Sequence, residues 1–262
     1  MHQYLFFIGN FPIRLYGIFF SLGIISGCIT AYFLLKKDRR GWESHMFDLG
    51  LVIAFAGIIG GRLWDVFFFD WEYYHNHLLE IPYIWQGGMA IQGGIIFACI
   101  AAYFYLKKHQ IPVLPFADTV TPGIILGQAI GRIANFMNGD AFGHPTGQDF
   151  GLLYPDTTLA YHTYGAQPLW PAEVWECQGD LLIFVLLLWY GCKTRAEGTT
   201  FCLYIMFYSL LRFFLENYRG DYGTLALGLK SAQLTSLTAF TGALILFLYL
   251  HFKYKEKNNR LE

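Results

Sequence analysis

Charge is scarce in this chain. Asp, Glu, Lys and Arg make up 14% of its 262 residues, against about 25% in a soluble domain. That deficit excludes an ordinary water-soluble fold. Net charge is also close to zero, −1 at pH 7, and there is no basic block outside short loops, which excludes nucleic acid as a partner. Cysteine is sparse and unpatterned. Cys28, Cys99, Cys177, Cys192 and Cys202 form no C-x-x-C pair and no metal-type spacing, so they read as small buried hydrophobes. The first residues lack a basic stretch and a small-residue cleavage site, and Tyr16 to Leu35 therefore reads as a first membrane span rather than a leader.

Apolar residues are what the chain has. They make up 55% of it, and aromatics alone 19%; mean hydropathy is +0.37. Disorder requires the opposite composition. A membrane-spanning helix needs about 20 mostly apolar residues, and this content suffices for about seven. Seven apolar stretches are visible, at roughly 13–35, 46–69, 89–106, 116–139, 172–191, 199–219 and 232–252. Helix is the expected form, since lipid offers no partners to backbone groups. The fold class is thus all-α: a polytopic membrane helix bundle of about seven helices, one domain over residues 1–262, with external loops at about 70–88 and 143–171. No tandem repeat or low-complexity segment interrupts it.

The connecting segments carry a one-sided charge pattern. Lys36, Lys37, Arg39 and Arg40 occupy the first loop, Lys107 and Lys108 the third, Lys193 and Arg195 the fifth. Lys253, Lys255, Lys257 and Arg260 fill the C-terminal tail. These are 12 of the 18 basic residues, and the second and fourth loops hold none. The positive-inside rule places the N-terminus outside and the C-terminus in the cytoplasm. The external loops are rich in aromatics: Trp71, Tyr73, Tyr74, Tyr83 and Trp85 in one, Tyr154, Tyr161, Tyr164 and Trp170 in the other. They read either as an interfacial belt or as covers over a site on the outer side.

Six basic residues remain. Arg14, Arg219 and Lys230 lie near span ends, where they can snorkel to headgroups. Arg62, Arg132 and Arg212 sit inside apolar stretches, where an arginine costs at least ~2.5–3.5 kcal/mol. Helical spacing groups the polar residues. Gln128, Arg132, Asn135 and Asn138 make one stripe. Tyr208, Arg212, Glu216 and Arg219 fall within about 80° of arc on another helix. Glu173, Glu176 and Asp180 share a face of a third, and Arg62 stands three residues from Asp65, a spacing at which the two can pair. Arginine forks match phosphate geometry, and in a membrane the available phosphate ester is a phospholipid headgroup. His75, His77, His144 and His162 follow no ligand spacing, so no metal site or cofactor is expected. A secondary transporter also has inward polar stripes and interrupted spans, but the two halves show no repeat.

The block Gly131-Arg132-Ile133-Ala134-Asn135-Phe136-Met137-Asn138-Gly139-Asp140, with Gly143 after it, resembles the G-R-x-G-N-F-x-N-x-E signature of the prolipoprotein diacylglyceryl transferase family. Arg14-Leu15-Tyr16-Gly17 is similar to that family's W-Y-G, and residues 87–94 (Gly-Gly-Met-Ala-Ile-Gln-Gly-Gly) to its G-G-M-x-x-H-G-G. Asp118 stands where the family has an aspartate before the signature. Pro171 to Glu176 resembles its H-P-x-Q-x-Y-E. Tyr208, Arg212, Glu216 and Arg219 match its Y-x-x-x-R-x-x-x-E-x-x-R.

The resemblance implies a bacterial inner-membrane enzyme that moves the diacylglyceryl group of phosphatidylglycerol to the lipobox cysteine thiol in a prolipoprotein signal peptide, releasing glycerol phosphate. It places Arg132, Arg212, Tyr208, Asp140 and Gln92 at catalytic positions. Asn135, Asn138, Arg219, Glu216, Tyr16, Gly143 and Asp118 fall at substrate-binding ones. Arg132 and Arg212 would grip the phosphate, the asparagines would hold headgroup oxygens, and Tyr208 would orient the lipid or share in proton transfer.

The departures concern acid–base groups. Gln92 stands in place of the family's usual histidine, and glutamine takes no proton at neutral pH. Asp140 replaces a glutamate, Trp170 a histidine, Glu173 a glutamine, Trp175 a tyrosine and Ala134 a glycine. Three readings stay open: a carboxylate base, with Asp140, Glu173 and Glu176 as candidates; transfer to another acceptor; or lipid binding or transport without catalysis.

Overall fold

A computed structural model of the chain describes residues 4–8, 11–192, 196–220 and 228–259. Lys193 and Arg195 of the fifth loop and Arg260 of the tail lie outside the described residues. The regular elements described are helices, apart from a short antiparallel pair, β1 (Tyr4–Ile8) and β2 (Phe11–Arg14). That pair was not expected; its apolar runs are too short to make a stable helix and alternate too weakly to announce a strand. The helices are α1 (Leu15–Asp38), α2 (Met46–Trp64), the short α3 (Trp71–Tyr74), α4 (Ile91–Lys108), α5 (Val113–Asn138), the short α6 (Leu159–Tyr164), α7 (Ala172–Gly191), α8 (Thr199–Leu215) and α9 (Ser231–Asn259).

Each of the seven apolar stretches carries one long helix. A 3₁₀ turn, Trp42–His45, precedes α2, and a π turn, Asp65–Phe69, extends it. Five of the seven are long and apolar enough to cross a membrane: Leu15–Asp38, Trp42–Phe69, Val113–Asn138, Thr199–Tyr218 and Ser231–Asn259. The other two carry more polar groups, two lysines in the last turn of α4 and three acids on α7. Large apolar side chains project outward, Phe33 at 61%, Phe55 at 66% and Ile245 at 64% exposure. A soluble protein does not leave such faces uncovered; a membrane covers them with lipid. Cys99 and Cys192 share this outer position and Cys28 and Cys177 are half-buried, so of the five cysteines only Cys202 is a core residue.

The chain divides into two compact units, residues 35–116 and residues 1–34 with 117–262. In the first, α2 and α4 run antiparallel at close range. A Cβ on Gly60 would strike the Gly93 carbonyl, and one on Gly93 the Gly60 carbonyl. Small residues are what let two backbones approach so closely. Arg62 is buried here at 3% exposure. Its guanidinium donates to the carbonyls of Ile81 (2.8 Å), Gly87 (2.7 Å), Gly88 (3.0 Å) and Glu80 (3.1 Å), and lies over the Tyr74 ring. This arginine is consumed in folding residues 80–88, so it offers no hand to an anion.

In the second unit, α1 and α5 cross antiparallel on glycine. A Cβ on Gly23 would come within 2.8 Å of the Gly127 carbonyl oxygen, and one on Gly27 within 2.7 Å of that of Gly123. Ile125, Ile183 and Leu187 form the apolar core between α5 and α7, with Leu203, Phe207 and Leu211 of α8 packed on it. Asp118 on α5 seats the start of α8: its carboxylate accepts from the backbone N–H groups of Gly198 (2.6 Å) and Phe201 (2.8 Å). These are helix-terminal donors that nothing inside the helix satisfies, and a carboxylate there also suits the helix dipole. At the far end of α8, Lys230 Nζ donates to the carbonyls of Glu216 (2.9 Å) and Arg219 (2.6 Å). Lys230 thus ties down a helix end where snorkelling was expected.

Residues 139–171 fold as an ordered cap with their own small core of Phe142, Tyr154, Ala160 and Leu169, flanked by Leu152 and Tyr164. Gly143 pairs with Arg219 across an antiparallel bridge. A Cβ on Gly143 would collide with the Trp170 backbone, so glycine is required there for close approach rather than for its dihedral freedom.

Candidate functional site

The three polar stripes converge within the second unit. At their centre is Glu176 of α7, buried at 2% exposure. Its Oε2 faces Arg132 Nε of α5 at 2.8 Å; its Oε1 meets Arg212 of α8 and, at 3.4 Å, Arg219. Arg212 also pairs at 2.8 Å with Glu216, four residues on, in the 3₁₀ turn that continues α8. A single carboxylate therefore holds three guanidinium groups together. Arg219 is 5% exposed and belongs to this cluster, not to the headgroup layer expected for it.

The arginines are not equally committed. Arg212 meets carboxylates through both terminal nitrogens. Arg132 is anchored through Nε, while its terminal nitrogens make only long contacts: 3.5 Å to Asn135 Oδ1 and 3.4 Å to the Tyr208 hydroxyl. Hydrogen bonds of that length are weak. Arg132 thus presents the outer edge of its fork, the edge that meets a phosphate bidentately. Its side chain is 19% exposed, the most open of the three.

Around it the signature residues close a ring. Asp140, just past the end of α5, accepts from Asn135 Nδ2 (2.8 Å) and Asn138 Nδ2 (3.0 Å). Both asparagines are thereby oriented. Tyr16, on the first turn of α1, lies within electrostatic reach of Asp140 and Arg132. Gln128 accepts from the Tyr204 hydroxyl at 2.7 Å, one turn below Arg132. Gly143, through its bridge to Arg219, draws the cap onto the cluster. Trp170, Trp175 and Tyr218 pack edge-on or tilted at 5.2–5.6 Å between ring centroids and form an aromatic wall beside it.

One of the residues singled out from the sequence lies elsewhere in this unit, and another belongs to the other unit. Asp118 caps α8 at the opposite end of α5, about 30 Å from Asn138 along a helix rising 1.5 Å per residue. Gln92 is exposed on the first turn of α4, in the other unit.

The structure also supplies a residue that sequence patterning passed over. Tyr154 of the cap donates its hydroxyl to Glu173 at the start of α7. It is buried, and Asp140 acts on it through space. Burial, first, and then the negative charge of Glu173 hold its phenol above the ordinary value near 10. As one aromatic among several in an irregular loop, it carried no periodic signal. Deeper on the same face of α7, both carboxylate oxygens of Asp180 are buried and meet no hydrogen-bond partner among the described residues.

The arrangement therefore offers a guanidinium fork, oriented amides, hydroxyls and buried carboxylates inside an apolar bundle. A family model described as prolipoprotein diacylglyceryl transferase matches residues 3–249. A phosphatidylglycerol–prolipoprotein diacylglyceryl transferase of Clostridium botulinum is 36% identical over 258 residues, 98% of this chain and 99% of that one. Proteins of the same description from Staphylococcus saprophyticus and Halalkalibacterium halodurans are 34% and 33% identical, over 94% of this chain in each case and 88% and 85% of theirs.

Proposed function

Since the chain belongs to the prolipoprotein diacylglyceryl transferase family, we propose that it transfers the diacylglyceryl group of phosphatidylglycerol to the lipobox cysteine of a prolipoprotein signal peptide. The observation that carries this reading is Arg132, held by Glu176 through Nε with its outer fork open beside Asn135 and Tyr208. In a water-poor bundle such a preorganised cation stabilises charge that grows during reaction.

The thiolate sulfur attacks the glycerol carbon bearing the phosphate, the carbon–oxygen bond breaks, and glycerol phosphate leaves with the bonding electrons. Arg132 and Arg212 take up the charge on the departing phosphate. Asn135 and Asn138, oriented by Asp140, hold headgroup oxygens. Tyr208 and Tyr16 orient the lipid near the phosphate. Arg219, Glu216 and Gly143 brace the cluster against the cap, and Asp118 serves it from a distance by seating α8. Gln92 supplies amide hydrogen bonding at the family's histidine position.

The topology proposed is seven spans in one membrane domain, N-terminus outside and C-terminus in the cytoplasm of a bacterial inner membrane. The external loops are 70–88 and 143–171. Helix directions support it. Within their units, α2 opposes α4, α1 opposes α5, and α5 runs parallel to α8 with α7 returning between them, as successive crossings require. Lys36 and Lys37, and Lys107 and Lys108, close α1 and α4 at what is then the same side.

Purified protein supplied with phosphatidylglycerol and a lipobox peptide is expected to give a diacylglyceryl mass gain at the cysteine with equimolar glycerol phosphate, and Arg132→Ala neither. Glycerol phosphate without peptide modification would mean a different acceptor, and neither product from the wild-type chain would sink the reading.

A further inference from the structure

The thiol must lose a proton before it attacks, because the thiolate is the nucleophile. Among the carboxylates near the arginines, most are already engaged. Glu176 is shared by three guanidinium groups. Asp140 accepts from two amides, and Glu216 pairs with Arg212. Glu173 differs from these, and from the deeper Asp180, whose oxygens also lack partners among the described residues, in lying under the cap. One of its oxygens accepts from Tyr154, while Oε2 is buried with no hydrogen-bond partner among the described residues. The residue is fully buried at the start of α7, directly under the cap. It stands one turn before Glu176, a spacing of about 5–6 Å between Cβ atoms. It is thereby a neighbour, on one helix face, of the carboxylate that holds the arginines.

Resting on the proposed transfer, we infer that Glu173 is the proton acceptor for the substrate thiol in this chain, with Tyr154 as the residue that positions it. A departure from the family pattern then has a role: a titratable group stands at Glu173 where glutamine is usual. In the step, the thiol proton passes to Glu173 Oε2 and the sulfur–carbon bond forms. The carbon–oxygen bond to phosphate breaks and glycerol phosphate leaves. Glu173 ends as a neutral carboxylic acid and returns its proton to the departing phosphate or to water. Tyr154 keeps its own proton, fixing Oε1 so that Oε2 faces the sulfur.

The test compares full-length wild type, Glu173→Gln and Tyr154→Phe in phosphatidylglycerol-containing micelles, using a cysteine lipobox peptide and its selenocysteine counterpart, which is ionised at neutral pH and needs no base. Glu173→Gln restores the family's usual residue, and its thermal unfolding is followed alongside to establish that it folds. With the cysteine peptide, kcat is expected to fall by at least about 100-fold, the scale of a lost general base, with KM for the lipid within about threefold of wild type. With the selenocysteine peptide the deficit shrinks at least tenfold. Tyr154→Phe gives a smaller loss of the same kind. Three results would overturn the assignment: Glu173→Gln within threefold of wild type, an equal deficit with both peptides, or a loss in Asp180→Asn with none in Glu173→Gln. A wild-type chain that modifies neither peptide overturns the transfer reading instead, and this one with it.

Discussion

Glu176 and Arg132 meet at 2.8 Å through Nε alone, so the pair fixes where the guanidinium sits without using up the edge that can bind a ligand. Arg132→Ala is expected to lower turnover by about 10²–10³-fold or more, the loss typical of removing one preorganised donor. Arg132→Lys should fall nearly as far, since an ammonium cannot reproduce the fork. Glycerol phosphate release under saturating lipid measures both, and near-normal turnover in Arg132→Ala would refute the clamp.

Removing the partner should act on stability. Glu176→Ala leaves Arg212 and Arg219 short of a buried counter-ion, and breaking a buried pair from one side costs about 3–5 kcal/mol. A large drop in melting temperature of the purified protein is expected, with little folded material recovered from membranes. An unchanged melting temperature would mean that the three arginines find other partners at no cost.

Arg62 should behave as a loop anchor. Arg62→Ala removes four donors from the carbonyls of Glu80, Ile81, Gly87 and Gly88, and each charged hydrogen bond is worth about 1.5–3 kcal/mol. Hydrogen exchange over residues 80–88 is expected to quicken at least tenfold, with unchanged protection in α7 and α8.

Gln92→His tests whether older chemistry survives at that position. Activity is expected to equal or exceed wild type. A dead variant would show that its surroundings have been rebuilt for glutamine.

Tyr154 predicts an alkaline effect. Burial and the charge of Glu173 raise its phenol pKa in the folded state, so its contribution to stability is complete below about pH 10, the unfolded value, and is lost progressively as pH rises above it. The gap in melting temperature between wild type and Tyr154→Phe should therefore be constant from pH 7 to 9 and narrow beyond. A gap that widens would contradict the assigned sign.

The long helices and their polar faces were legible because hydrophobic runs and a 3.6-residue period are local properties. Gln128, Arg132, Asn135 and Asn138 share a face for any straight helix. Local pairs were legible from spacing, Arg62 with Asp65 at 4.0 Å and Arg212 with Glu216 at 2.8 Å, but pairs between distant segments were not. Nothing near Arg62 in the sequence announces that four loop carbonyls will take its hydrogen bonds. Arg219 and Lys230 sit close enough to a span end to be read as snorkelling, yet Glu176 claims the first and the end of α8 the second. The β1–β2 pair and the core of the cap depend on contacts between irregular segments, where no period exists to be read.

The α5–α8 pair is joined at three successive levels: Asp118 to the start of α8, Gln128 to Tyr204, and Arg132 to Tyr208. Tied closely at Asp118 and Gln128 and touching more loosely at Arg132, the two parallel rods resist sliding against each other. Mechanically, the arginine edge is then mounted on a braced pair of helices. A lipid diffusing in the plane of the bilayer docks against a surface whose shape was set during synthesis, and little of its binding energy is spent bending the receiver.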